Sequence, residues 1–150
     1  LLASRAMAGR YGMSFAKKHI EDGEYEEAVT AASEAIAAGD AGPEPLVDRA
    51  TAYDLLERHA EAVADFEAAI AKNQAEKELD PFLLDDAYFS AALACARAEA
   101  KGNLTQALAR LEKYRAVLPE GAHFTESYDW QKRLRGELPS LLDKTKALDS

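Results

Sequence analysis

The sequence predicts an all-α fold of antiparallel helix pairs stacked in series, and three observations lead to it. Of 150 residues, 32 are Ala and only 12 are β-branched (Val, Ile or Thr). Ala is the best helix former and fits strands poorly. Clusters of Gly, Pro and Asp/Asn cut the chain into segments of about 12 to 20 residues, and within each the apolar residues recur at helical spacing. These segments also resemble one another at a fixed period of 34 residues, the mark of a repeat array.

The breaks follow in order. Glu21-Asp22-Gly23 closes the first helical stretch. Gly39-Asp40-Ala41-Gly42-Pro43-Glu44-Pro45 is a turn that leads into a helix start. Ala62, Phe66, Ala69 and Ile70 stand at i, i+4, i+7 and i+8 and so share one helix face. Asp80-Pro81 reads as an N-cap followed by proline in the first helical turn, where the missing N–H has no intrahelical partner to lose. Lys101-Gly102-Asn103 ends one helix, Leu118-Pro119-Glu120-Gly121 ends the next, and Gly136 and Pro139 bracket a final turn. The expectation is eight short helices and no strand.

The repeat appears when Gly23-Glu24-Tyr25-Glu26-Glu27-Ala28 is aligned with Glu57-Arg58-His59-Ala60-Glu61-Ala62. Gly102-Asn103-Leu104-Thr105-Gln106-Ala107 and Gly136-Glu137-Leu138-Pro139-Ser140-Leu141 follow in the same frame. The anchors Ala28, Ala62, Ala107 and Leu141 are spaced 62 − 28 = 34, 107 − 62 = 45 and 141 − 107 = 34. The middle spacing exceeds the period by 11, about three helical turns, which would lengthen the helices on either side of Asp80-Pro81.

A helix-turn-helix period of 34 with these small and apolar places resembles the tetratricopeptide repeat family. The second unit matches best, with Leu46, Ala50 and Tyr53, then Ala62, Phe66 and Ala69. The first gives Phe15, Ala16, Gly23, Tyr25, Ala28 and Ala35, with Ala32 where the family prefers an aromatic. The third gives Cys95, Gly102, Leu104, Ala107 and Leu111, with Tyr114 at a usually small place and Pro119 closing it. The fourth keeps Gly136, Leu138 and Leu141 but has Asp129 and Lys132 where small or apolar residues are expected, which suits a terminal cap. The resemblance implies one domain over residues 1–150, in units of about 9–42, 43–80, 81–121 and 122–150, wound as a right-handed superhelix or α-solenoid.

Composition bounds the function. The net charge is −9, from 18 Lys+Arg against 27 Asp+Glu, which argues against nucleic acid because phosphate neutralisation needs clustered basic residues. The single cysteine, Cys95, precludes an intramolecular disulfide and falls at the family's small-residue place, where packing is its expected role. No window reaches the roughly 18 apolar residues of a membrane span. The opening Leu1-Leu2-Ala3-Ser4-Arg5 lacks an initiator Met and reads as the start of a fragment or mature form, with the cytoplasm as the default compartment. Gly9-Arg10-Tyr11-Gly12 lacks the spacing and Lys of a phosphate loop, and His19, His59 and His123 are too scattered for a zinc site. The neighbouring carboxylates Asp85-Asp86 and Glu26-Glu27 read as solvated faces or helix N-terminal charges. Asn103-Leu104-Thr105 spells a glycosylation sequon. No enzyme, metal or cofactor is expected.

The resemblance implies instead that a peptide or helical segment of a protein partner lies in a concave groove lined by the first helix of each unit. Projected here, the groove places are Arg10, Met13 and Lys17, then Glu44, Val47, Thr51 and Asp54, then Phe89, Ala92 and Ala96, then His123, Trp130 and Arg133. Basic residues stand at both ends, acids in the second unit and apolar residues in the third. The subtype that grips a carboxyl terminus is disfavoured: its clamp places carry Met13, Lys17, Asp48, Phe89 and Leu93, where Asp48 would repel a carboxylate. A homo-oligomeric, self-assembling scaffold is the alternative, motivated by Leu1, Leu2 and the apolar residues Leu138, Leu141, Leu142 and Leu148.

Overall fold

The computed structural model describes residues 14–39, 42–76, 79–98 and 103–136. Among the described residues there are seven α-helices and no strand, so the all-α expectation holds. They are α1 Phe15–Glu21, α2 Tyr25–Ala37, α3 Glu44–Leu55, α4 His59–Glu76, α5 Pro81–Arg97, α6 Asn103–Val117 and α7 Phe124–Leu134. The expected eighth helix, with Leu138, Leu141, Leu142 and Leu148, lies outside the described residues, as do Leu1, Leu2, Arg10, Met13 and Gly102.

The helix starts follow from local chemistry. Ser14 Oγ accepts the Lys17 N–H at 3.0 Å and caps α1. Asp80 caps α5 by accepting the Phe82 N–H at 2.8 Å, with Pro81 next to it. Glu26 and Glu27 sit in the first turn of α2, where the helix dipole favours negative charge.

The ends of α1 and α3 are built alike. After α1, Gly23 N–H donates to Ile20 O (3.1 Å) and Glu24 N–H to His19 O (2.8 Å). Thirty-four positions later, Glu57 N–H donates to Asp54 O (3.0 Å) and Arg58 N–H to Tyr53 O (2.8 Å). This crossed pair closes a helix through one left-handed residue. That residue is Gly23 at φ +78° in the first case and Glu57 at φ +61° in the second. Glycine reaches this region freely, whereas a glutamate there is strained.

Each helix packs chiefly on its neighbours in the chain, and α1 also touches α3. Small residues are buried in register at matched positions of the helices. Ala28, Ala62 and Ala107 are each 0% exposed, and Ala16, Ala50 and Cys95, spaced 34 and 45, are likewise buried. One turn beyond the first set, Ala32, Phe66 and Leu111 are buried at equivalent positions and fill the space between the helices. The 45-residue spacing is absorbed in helix length: α4 has 18 residues and α5 has 17, against 13 in α2 and 12 in α3. Asn73 Oδ1 accepts the buried Leu79 N–H at 2.8 Å and so closes the turn between these long helices.

The main apolar cluster runs from Val47, Phe66 and Ile70 through Tyr88 and Phe89 to Leu111 and Tyr114. Full burial of a side chain such as Phe66 contributes about 1.5–3 kcal/mol. Arg49 bridges three helices above it, with two bonds to Asp65 on α4 (2.6 and 2.9 Å) and one to Ser33 on α2 (3.2 Å). The forked guanidinium geometry matches the carboxylate and fixes the angle between α3 and α4.

Glu57→Gly relieves a backbone strain of about 1–2 kcal/mol and gives back part of it as unfolded-state entropy. The variant is expected to be about 0.5–1 kcal/mol more stable, read as a higher urea midpoint at unchanged slope.

Candidate functional site

The sequence-projected groove residues fall into two groups. Lys17 on α1, Thr51 on α3, Ala96 on α5 and Trp130 on α7 are equivalent by the spacings 34, 45 and 34, and all four are half-buried. All four keep part of their side-chain surface exposed. Lys17 Nζ stands 3.4 Å from Glu44 Oε1, and the Thr51 hydroxyl donates to Val47 O on its own helix at 2.8 Å. Trp130 leans on the core cluster, and the Arg133 guanidinium lies 5.4 Å from its ring centroid.

Val47, Phe89 and Ala92 correct the projection. They are 6%, 4% and 0% exposed and belong to the apolar core, leaving almost no surface for a partner. Val47 and Ala92 are equivalent positions, each three residues before a close-approach residue (Ala50 and Cys95), so they share its inward face. Phe89 is covered by the imidazole of His123, stacked at 4.3 Å with planes 5° apart, and by Tyr114 at 5.7 Å.

Asp54 ends α3 as a junction. Its Oδ1 lies 2.5 Å from His59 Nδ1 on α4 and its Oδ2 accepts from Arg97 Nη1 on α5 at 2.9 Å. Arg97 and His59 line an open cleft of about 500 Å³ together with Glu57, Arg58, Ala60, Glu61 and Ala98. Arg58 meets Glu61 at 2.8 Å, and both Arg97 and His59 meet Asp54. Asp48 is buried on α3 and accepts the Ser14 hydroxyl at 2.9 Å. Burial pushes its carboxyl pKa up, with Ser14 and Lys17 opposing in part.

A buried polar network escaped sequence reasoning. Asp85 is a core residue, contrary to its reading as a solvated or helix-terminal charge. Its Oδ1 accepts the Tyr114 hydroxyl at 2.5 Å and its Oδ2 accepts the Ala122 N–H at 2.5 Å. The Tyr114 oxygen in turn accepts the His123 N–H at 2.9 Å. Burial first, and the Asp85 bond second, push the Tyr114 phenol well above its ordinary range. Gly121 lets the chain pass over this hydroxyl, because a Cβ there would overlap it and stand 2.9 Å from Leu118 O. One signal was present in the sequence: Asp85, Phe89 and Ala92 are at i, i+4 and i+7, so the carboxylate shares their inward face.

Cys95 is buried, as its place in the repeat implies, with Arg110 Nη1 3.5 Å from its sulfur and the Asn103 carbonyl at 3.6 Å. Burial raises its thiol pKa, which disfavours the reactive thiolate. The Asn103 amide of the sequon is already donated to Ala98 O. Among the described residues no group of three or more His, Cys, Asp or Glu side chains is placed to hold a metal ion. No described helix is long and apolar enough to cross a membrane.

Two substitutions test this geometry. Tyr114→Phe leaves an Asp85 oxygen and the His123 N–H without their partner and is expected to lower stability by about 1–3 kcal/mol in urea unfolding. Asp48→Asn keeps an oxygen for Ser14 and removes a buried charge. Because the folded state raises the Asp48 pKa, it binds the proton more tightly than the unfolded chain, and wild-type stability falls as pH rises through that range. The thermal midpoint of Asp48→Asn is therefore expected above wild type at pH 7, with the gain shrinking as pH approaches 4. No protein-family model, curated protein or solved structure matches this chain.

Proposed function

We propose that the chain is a tetratricopeptide-like protein-interaction module, a non-enzymatic scaffold whose groove takes a peptide or a helical segment of a partner protein. The observation that carries this reading is the 34-residue recurrence of the helix closure at Gly23 and Glu57, with the same pairs of carbonyls and N–H groups engaged in each case. The buried small residues at matched positions support stacked helix pairs, which need neighbours to bury their apolar faces.

The half-buried row of Lys17, Thr51, Ala96 and Trp130 supplies the lining, with Glu44 and Asp54 beside it on α3 and Arg133 one turn beyond Trp130. Its chemistry runs from cationic through polar and small to aromatic, which suits a mixed segment with an apolar residue near the Trp130 end. Trp and Arg are enriched where interfaces gain most of their energy.

The test is selection of binding peptides from a displayed random library. Selected peptides are expected to lose at least tenfold in affinity for the double variant Thr51→Arg/Ala96→Arg, whose helical circular dichroism stays native. Lys113→Glu, on the exposed side of α6, is expected to bind as wild type. Equal binding by the row variant and wild type would refute the groove.

A further inference from the structure

The backbone of α7 packs chiefly against α6. Its first turn is tied to α5 by polar groups around one histidine. His123 Nε2 is 2.9 Å from Asp86 Oδ1 on α5, and His123 Nδ1 is 3.1 Å from Glu126 Oε2 on α7. The ring lies flat on Phe89 of α5. Ionised carboxylates only accept hydrogen bonds, so both contacts are satisfied only when each ring nitrogen carries a proton. A neutral imidazole has one N–H and turns a lone pair toward the other carboxylate.

We propose that His123 is a pH-operated latch, holding the start of α7 on α5 as the imidazolium and releasing it when one ring proton is lost.

The surroundings define its sign. From α5 the ring meets Asp86, while Asp85 is occupied by the Tyr114 hydroxyl and the Ala122 N–H. From α6 the Tyr114 oxygen accepts the His123 backbone N–H, and Arg115 is engaged with Ser127 and Gln131 of α7. From α7 the ring meets Glu126. Partial burial alone pulls the His123 pKa down, but the bonds and charges of Asp86 and Glu126 outweigh it and the net direction is up. A histidine whose folded pKa is raised contributes stability fully below the unfolded value of about 6.5 and loses it as pH rises through the folded value. The latch is therefore closed on the acid side and opens on the alkaline side. Opening takes the imidazole off one face of Phe89, while Tyr114 still borders that ring.

The experiment uses the whole chain, whose single tryptophan, Trp130, lies on α7 and reports its docking. Trp130 emission and the His123 ring resonances are followed from pH 5.5 to 8.5 in wild type, Asp86→Asn and His123→Asn. In wild type both signals are expected to change with one shared midpoint above 6.5. The docking equilibrium should change about tenfold for each pH unit between that midpoint and the free value. Asp86→Asn, an exposed and conservative change, lowers the midpoint, and His123→Asn removes the emission step. The latch is refuted by flat Trp130 emission in wild type, by an emission step that survives in His123→Asn, or by a His123 midpoint at or below 6.5.

Discussion

Close approach at alanine is the constraint on which this structure depends. Ala28, Ala62 and Ala107 have no exposed surface, and each is buried at a matched position of successive helices. A methyl at these places allows the helices to approach closely, and the larger residues one turn away then fill the interior. Enlarging the small residue would push the helices apart and open gaps around Phe66 and Leu111, so the alanines set the spacing that the rest of the core requires.

The third helix pair departs from this rule and compensates with polar chemistry. Where the first two units have Ala35 and Ala69, the third has Tyr114, which is fully buried. A phenol of that size needs both room and a partner. Gly121 gives the room, and Asp85 with the His123 N–H gives the partners. A tyrosine, a buried aspartate and a glycine thus act as one replacement for a small side chain. The result joins α5, α6 and the turn into α7 at a point where an alanine would join only two helices.

Much of the fold was legible because its signals are local. Caps, prolines and glycines marked the breaks, and the extra 11 residues between anchors went into α4 and α5 as their spacing suggested. The left-handed place at Glu57 was visible only by alignment with Gly23, since nothing in the glutamate itself demands that geometry. The site was less legible. Whether Val47, Ala92 and Phe89 face a groove or the core depends on helix rotation, which small changes in packing decide. The same holds for Asp85, whose burial depends on partners 29 and 37 residues away. Two ties to buried aspartates, Arg49 to Asp65 and Asp85 to Tyr114, are side-chain pairs across helices that carry no short-range signature.

Packing between chain neighbours also has a kinetic consequence. Contacts of short sequence separation require little loop closure, and chains dominated by them fold in microseconds to milliseconds. Among the ties that skip a helix are Asp54 with Arg97, 43 residues apart, and Arg110 with Glu67, also 43 apart. These two ion pairs span the long α4–α5 hairpin from either side, so the amides of the central helices should exchange as one unit.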